Sequence, residues 1–225
     1  MKHSLKSIII LSAAVVTIIL GVYVFRQQHY TFISIIIASI ACIGFFFSFE
    51  RRELTTRYTV IIAVMTSLSI VGRLIFAPIP GFKPVTAIVI ISGMYISPQS
   101  GFAVGVLTAL ISNMYFGHGA WTPFQMLSWG VIGLLAGSIS NILKKNRIFL
   151  AFFGFLCGIL YSLIMDIWTV LWYSDGNFNF ALYSAAIISA IPYTVTYAVS
   201  NVIFLLLLGN PIGKKLNRAN ILIQR

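Results

Sequence analysis

The stretch RLIFAPIPGFKPVTAIVIISGMYISPQSGFAVGVLTALISNMYFGHGAWTPFQMLSWGVIGLLAG, residues 73–137, decides how this chain folds. It sets an arginine at the end of one apolar segment, follows it with a Pro/Gly loop, and then packs two short Gly-rich apolar runs against a loop dense in aromatic and polar residues. At 1.5 Å per residue the run 85–96 is too short for a comfortable membrane span. SPQSG (97–101) is expected to break it, leaving a second short helix over 102–115, a loop FGHGAWTP (116–123) and a helix over 124–142. Non-helical backbone and polar side chains at membrane depth are tolerated only where protein or a watery cavity satisfies them. A pocket therefore belongs in this stretch, with the rest of the chain as its scaffold.

Composition places the stretch in lipid. The 225 residues are 59% hydrophobic and 8% charged, whereas soluble chains carry roughly a quarter charged residues. An all-α, polytopic membrane helix bundle follows. The net charge of +11 does not point to nucleic acid, because the basic residues stand at the ends of apolar segments, where topology signals lie. Cys42 and Cys157 both fall inside apolar runs and read as small hydrophobic packers.

Outward from the deciding stretch, the sequence predicts an uncleaved helix over 7–25 and a second over 30–49. The cluster ERRELTTR (50–57) separates this pair, residues 1–57, from a core of residues 58–225. The core helices are expected over 58–77, 85–96, 102–115, 124–142, 149–172 and 182–208, with Pro192 as a kink: six, plus two extra N-terminal transmembrane helices. No long internal repeat is visible. With the N-terminus inside, Lys2, Lys6, Arg51, Arg52, Arg57, Lys144, Lys145, Arg147, Lys214, Lys215, Arg218 and Arg225 lie on the inner side, and only Arg26, Arg73 and Lys83 on the outer. Both termini of this multi-pass cell-membrane protein are then cytoplasmic. The loops 78–84, 116–123 and 173–180 face outside.

Arg73 either snorkels to the headgroups or points inward to a substrate or counter-charge. Asp166, the acidic residue inside an apolar helix, is the expected counter-charge. Trp121, Gln125 and Trp129 recur at intervals of four and share a face if a helix begins near Trp121. An aromatic belt accounts for tryptophans at a boundary but not for a glutamine between them; a pocket for a flat, polar-edged ligand accounts for both. His118, between two glycines, reads more readily as a solvated residue or hydrogen-bond donor than as a metal ligand. Gly101-x-x-x-Gly105 and Gly133-x-x-x-Gly137 have helix-contact spacing, as has Ala63-x-x-x-Ser67 on the third apolar helix of the chain.

There is no HExxH, GxSxG or P-loop, no aspartate pair for phosphate transfer and no chain of intramembrane acids. No catalytic residue, cofactor or metal site is therefore expected. What remains is an outward-facing, aromatic-lined pocket without its own energy source. A membrane scaffold or assembly protein, or a stand-alone secondary transporter of a small heterocycle, is the alternative to a transport subunit.

VIIAVMTSLSIVGRLIF (60–76), ISPQSGFAVGVLTALISN (96–113) and YFGHGAWTPFQMLSWGVIGLLAG (115–137) give the chain a resemblance to the substrate-binding S components of energy-coupling factor (ECF) vitamin transporters. The last run is similar to a subgroup associated with corrinoids. The resemblance implies a six-helix core that takes a vitamin or precursor, with cobalamin or a related corrinoid as the leading expectation. A transmembrane coupling subunit and two cytoplasmic ATPase subunits would be its partners. On this reading Arg73, Lys83, Asn113, His118, Trp121, Thr122, Gln125, Trp129, Asp166 and Asn179 are expected toward the substrate, and the resemblance places Ala63 and Ser67 toward the coupling subunit. In the family that contact is Ala-x-x-x-Ala; here the second alanine is a serine. The two N-terminal helices depart from the common six-helix form.

Overall fold

The computed structural model describes residues 56–119, 121–174 and 178–223, so the two N-terminal helices expected before residue 57 lie outside it. The described residues form seven helices and no strand: α1 (Thr56–Ile75), α2 (Val85–Tyr95), α3 (Pro98–Phe116), α4 (Thr122–Ser138), α5 (Ser140–Lys145), α6 (Arg147–Tyr173) and α7 (Phe180–Ile223). Three of them, α1, α6 and α7, are long and apolar enough to cross a membrane.

Helix α2 is the axis of the bundle. It is apolar all round, and Val85 to Met94 are all buried, as expected of a helix enclosed on every side. Helices α3 and α4 close on it through glycines. A Cβ on Gly133 would lie 2.3 Å from the backbone carbon of Gly101, and one on Gly93 would lie 2.2 Å from the Gly133 carbonyl oxygen. Three backbones therefore meet at a point where any larger side chain would force them apart.

Around this centre, α1 buries Ile62, Met65, Thr66, Ser69 and Arg73 on one stripe. Its opposite face exposes Val60, Val64, Leu68 and Val71. Helices α6 and α7 pair antiparallel: Gly158 sits against Ala198, and Asn201 Nδ2 donates to the Gly154 carbonyl at 3.1 Å. Their outer faces expose Phe152, Phe155, Ile188, Ile191, Val195 and Leu207. So continuous an apolar surface belongs in lipid rather than water.

Three boundaries differ from the expectations. SPQSG does not break the structure over five residues; Ser97 caps α3, accepting from the Ser100 N–H at 3.1 Å, and Pro98 takes the first helical position. That is where a proline's missing N–H costs nothing. The helix expected over 124–142 divides at Ile139 into α4 and α5. The last helix, expected to stop at 208, continues through Pro192 and Pro211 to Ile223. Its 44 residues would span about 66 Å, far beyond an apolar layer of about 30 Å, so α7 projects out of the membrane.

The connection 76–84 folds into the bundle. Ser200 Oγ accepts from the Lys83 N–H at 2.9 Å and donates to the Lys83 carbonyl at 3.1 Å, tying both backbone groups to α7. Phe82 packs 5.1 Å from Phe204, centroid to centroid, and Phe76 5.0 Å from the same ring. Gly81 turns the chain with φ of 75°, close against Thr196 and Tyr197. A side chain there would meet both the unfavourable φ and that wall.

Candidate functional site

Arg73 is the first residue of the site. In the last turn of α1 it is 7% exposed, so it points inward and does not snorkel. Its Nη1 donates to Ser112 Oγ and, at 2.8 Å, to Asn113 Oδ1, both on α3. The guanidinium also stands over Phe116, 4.5 Å from the ring centroid, and 5.2 Å from that of Trp129. Aromatic faces and neutral oxygens together replace the water that a buried cation loses.

The expected Arg73–Asp166 pair does not form. Asp166, equally buried, leaves Oδ2 without a hydrogen-bond partner among the described residues. The reason is local: Ser112 and Asn113 stand where α1 meets α3, whereas Asp166 is on α6.

Asn113 is the hub. Its amide nitrogen donates to Thr122 Oγ1 at 3.0 Å and to Gln125 Oε1 at 2.8 Å, both on α4. Gln125 Nε2 continues the chain to the Tyr161 hydroxyl on α6 at 3.3 Å. Tyr161 stacks on Trp129, with centroids 5.3 Å apart and planes at 15°, and Tyr197 of α7 meets Tyr161 edge-on at 5.1 Å. Arg73, Asn113, Thr122, Gln125 and Trp129 are thus brought together, and with Tyr197 the network joins five helices. Trp129 Nε1 is buried and unpartnered among the described residues, a donor free for a ligand.

Lys83 comes to the same place from the folded-in loop: its ammonium lies 5.5 Å from the Phe116 centroid. Burial lowers its pKa from the ordinary lysine value, and the Arg73 charge lowers it further.

The remaining expected residues lie elsewhere. Trp121 precedes α4 as its N-cap and meets Trp168 edge-on at 6.0 Å, within a separate aromatic cluster that includes Trp172 stacked on Trp168. The shared face of Trp121, Gln125 and Trp129 is thus divided between two clusters. His118 is exposed and makes no hydrogen bond among the described residues. Asn179 is exposed and caps α7, accepting from the Ala181 N–H at 2.8 Å. Ala63 and Ser67 are exposed on the outer face of α1.

Sequence reasoning missed Ser112, Phe116, Tyr161, Tyr197 and Ser200. A signal existed for α7, where Thr194, Tyr197 and Asn201 interrupt an apolar helix at intervals of three and four. Among the described residues no cluster of His, Cys, Asp and Glu could hold a metal ion.

The network offers a stacked aromatic pair, two amides and two cations within one helix bundle. Neither a curated protein nor a solved structure matches the chain. A family profile, that of the ECF-type riboflavin transporter S component, matches residues 53–218. That span contains all the described helices except the end of α7, together with the whole network from Arg73 to Tyr197, and the chain accordingly belongs to the S components of ECF transporters, as the substrate-specific membrane subunit.

Proposed function

We propose that this subunit captures a flat heteroaromatic vitamin of the flavin class, riboflavin or a close derivative, from outside the cell. The observation that carries the reading is the Trp129–Tyr161 stack with the Gln125 and Asn113 amides at its edge. A planar ring with an imide edge needs both: π faces to stack on, and side chains that donate and accept in its plane. At 5.3 Å the two rings contact each other. A ligand ring would therefore extend the stack or take the place of one member. The family's description supports the same ligand class.

The corrinoid expectation rests on the resemblance of run 115–137. In the fold that run supplies Thr122, Gln125 and Trp129 to the network, and we read its stacked rings and in-plane amides as suiting a planar heterocycle. Energy for release to the cytoplasm would come from a transmembrane coupling subunit and two ATPase subunits, with Ala63 and Ser67 on the lipid-facing side of α1 as the contact. With both termini cytoplasmic, the loops 78–84 and 116–123 expected on the outer side would lie where substrate arrives. Membership of a transporter subunit family speaks against the scaffold and stand-alone transporter readings.

The test is a titration of the full chain, purified in detergent, with flavins and with cobalamin. Flavin fluorescence should be quenched on binding, since Trp129 and Tyr161 would stack on the chromophore, and the melting temperature should rise with ligand concentration. Stabilisation by cobalamin with no response to any flavin would overturn the flavin reading in favour of the corrinoid one.

A further inference from the structure

Among the described residues the charges at this site do not balance. Both hydrogen bonds of Arg73 leave from Nη1. Its Nε–Nη2 edge, the parallel pair of donors that fits a phosphate or carboxylate, makes no hydrogen bond among the described residues. Lys83 Nζ makes none either, and its ammonium shares the Phe116 ring with the guanidinium. Asp166 is the one acidic residue among those described, and it pairs with neither. Two cations are therefore held around one aromatic ring, partly desolvated and repelling each other, with only a π face between them. Headgroup snorkelling accounts for neither: Arg73 is 7% exposed, and the backbone of Lys83 is tied inward to Ser200.

We propose that the preferred substrate is a phosphorylated flavin whose phosphomonoester is held by the Arg73 Nε–Nη2 edge and the Lys83 ammonium while the ring system lies against Trp129. The inference rests on the flavin reading and adds a charge to it. A phosphomonoester carries about −1.5 to −2 near neutral pH, which matches two cations better than a carboxylate's single charge does. The neutral ribityl chain of riboflavin would leave both cations uncompensated.

The experiment compares flavin mononucleotide with riboflavin on the full chain in detergent, read by fluorescence quenching at several salt concentrations. Flavin mononucleotide is expected to bind at least about tenfold more tightly, the scale of one charge-assisted hydrogen bond. That preference should shrink with salt and fall toward unity in Lys83→Gln and Arg73→Gln. Arg73 is buried, so its variant is informative only if folded; Lys83, half-buried and anchored through its backbone, carries the test alone if necessary. Riboflavin binding as tightly as the phosphate ester, or a preference unchanged in Lys83→Gln, overturns the proposal and leaves the flavin reading standing. No binding of either flavin defeats both.

Discussion

Arg73 and Asn113 meet at 2.8 Å across the α1–α3 interface, and through this bond a cation on one helix is joined to a network that runs to α6. Asn113 accepts from Arg73 with its oxygen and donates to Thr122 and Gln125 with its nitrogen, so both donors and one of two acceptor lone pairs are used.

Asn113→Ala removes three bonds at once and leaves the buried Gln125 Oε1 without a partner among the described residues, while Arg73 keeps Ser112 and Thr122 keeps the Gly119 N–H. At about 1–3 kcal/mol per buried group left unsatisfied, the variant should melt well below the parent in detergent and bind ligand poorly. Asn113→Asp keeps the acceptor facing Arg73 and loses both donors. It should retain more stability than the alanine variant, and a thermal melt of the pair checks the order. Equal melting temperatures would mean that the Arg73 bond contributes nothing measurable.

The two tryptophans make separate claims. Trp129 stacks on Tyr161 and faces the guanidinium, whereas Trp121 meets Trp168 outside the network. Trp129→Ala should reduce flavin affinity by at least about tenfold, with Trp129→Phe recovering part of it because a π face is restored. Trp121→Ala should cost less than Trp129→Ala. Equilibrium titration of the three variants decides it, and the reverse order would move the binding site to the Trp168 cluster.

How much of this was legible beforehand follows from which forces act locally. Membrane helices announce themselves by apolar length, and the Gly101 and Gly133 spacing announced the close approach of α3 and α4, since only small residues allow it. Asn113, Gln125 and Trp129 were visible as polar and aromatic residues out of place in an apolar run. Their partners were not, because Ser112 and Tyr161 are ordinary residues of their helices until packing brings them to Arg73 and Gln125. The Arg73–Asp166 pairing failed for the same reason: opposite charge identifies candidates, but which helices touch decides who meets. The α7 terminus was missed because the apolar run ends near Leu208, and apolar length alone set the expected end. Leu216, buried in the core, holds the helix past it.

Lys83 gives the site a pH dependence with a fixed sign. Burial first, and Arg73 second, lower its pKa from 10.5. A lysine whose folded value is depressed binds its proton less readily when folded, so stability of the ligand-free protein rises as pH climbs through the folded value toward 10.5. Binding of an anionic ligand runs the other way, weakening over the same window as the ammonium is lost. The difference in melting temperature and affinity between the parent and Lys83→Gln isolates this group from other titrating residues. A pH profile identical in both proteins would remove Lys83 from the site.

The exposed face of α1 makes a prediction that the binding site does not share. Ala63 and Ser67 lie one turn apart on the side of α1 turned away from the buried stripe that ends in Arg73. Small residues at this spacing let a second helix approach closely in lipid, where association depends on van der Waals packing rather than on a hydrophobic drive. A bulky residue there meets nothing among the described residues but would hold a partner helix off by the depth of its side chain. Ala63→Trp and Ser67→Trp should therefore leave folding of the isolated subunit intact while abolishing co-purification with the coupling subunit and ATP-dependent uptake in reconstituted vesicles. Serine in place of the family's second alanine adds only a hydroxyl, so Ser67→Ala should assemble at least as well as the parent. If both tryptophan variants assemble and transport normally, the coupling subunit docks on another face, and the apolar outer side of α6 and α7 becomes the surface to search.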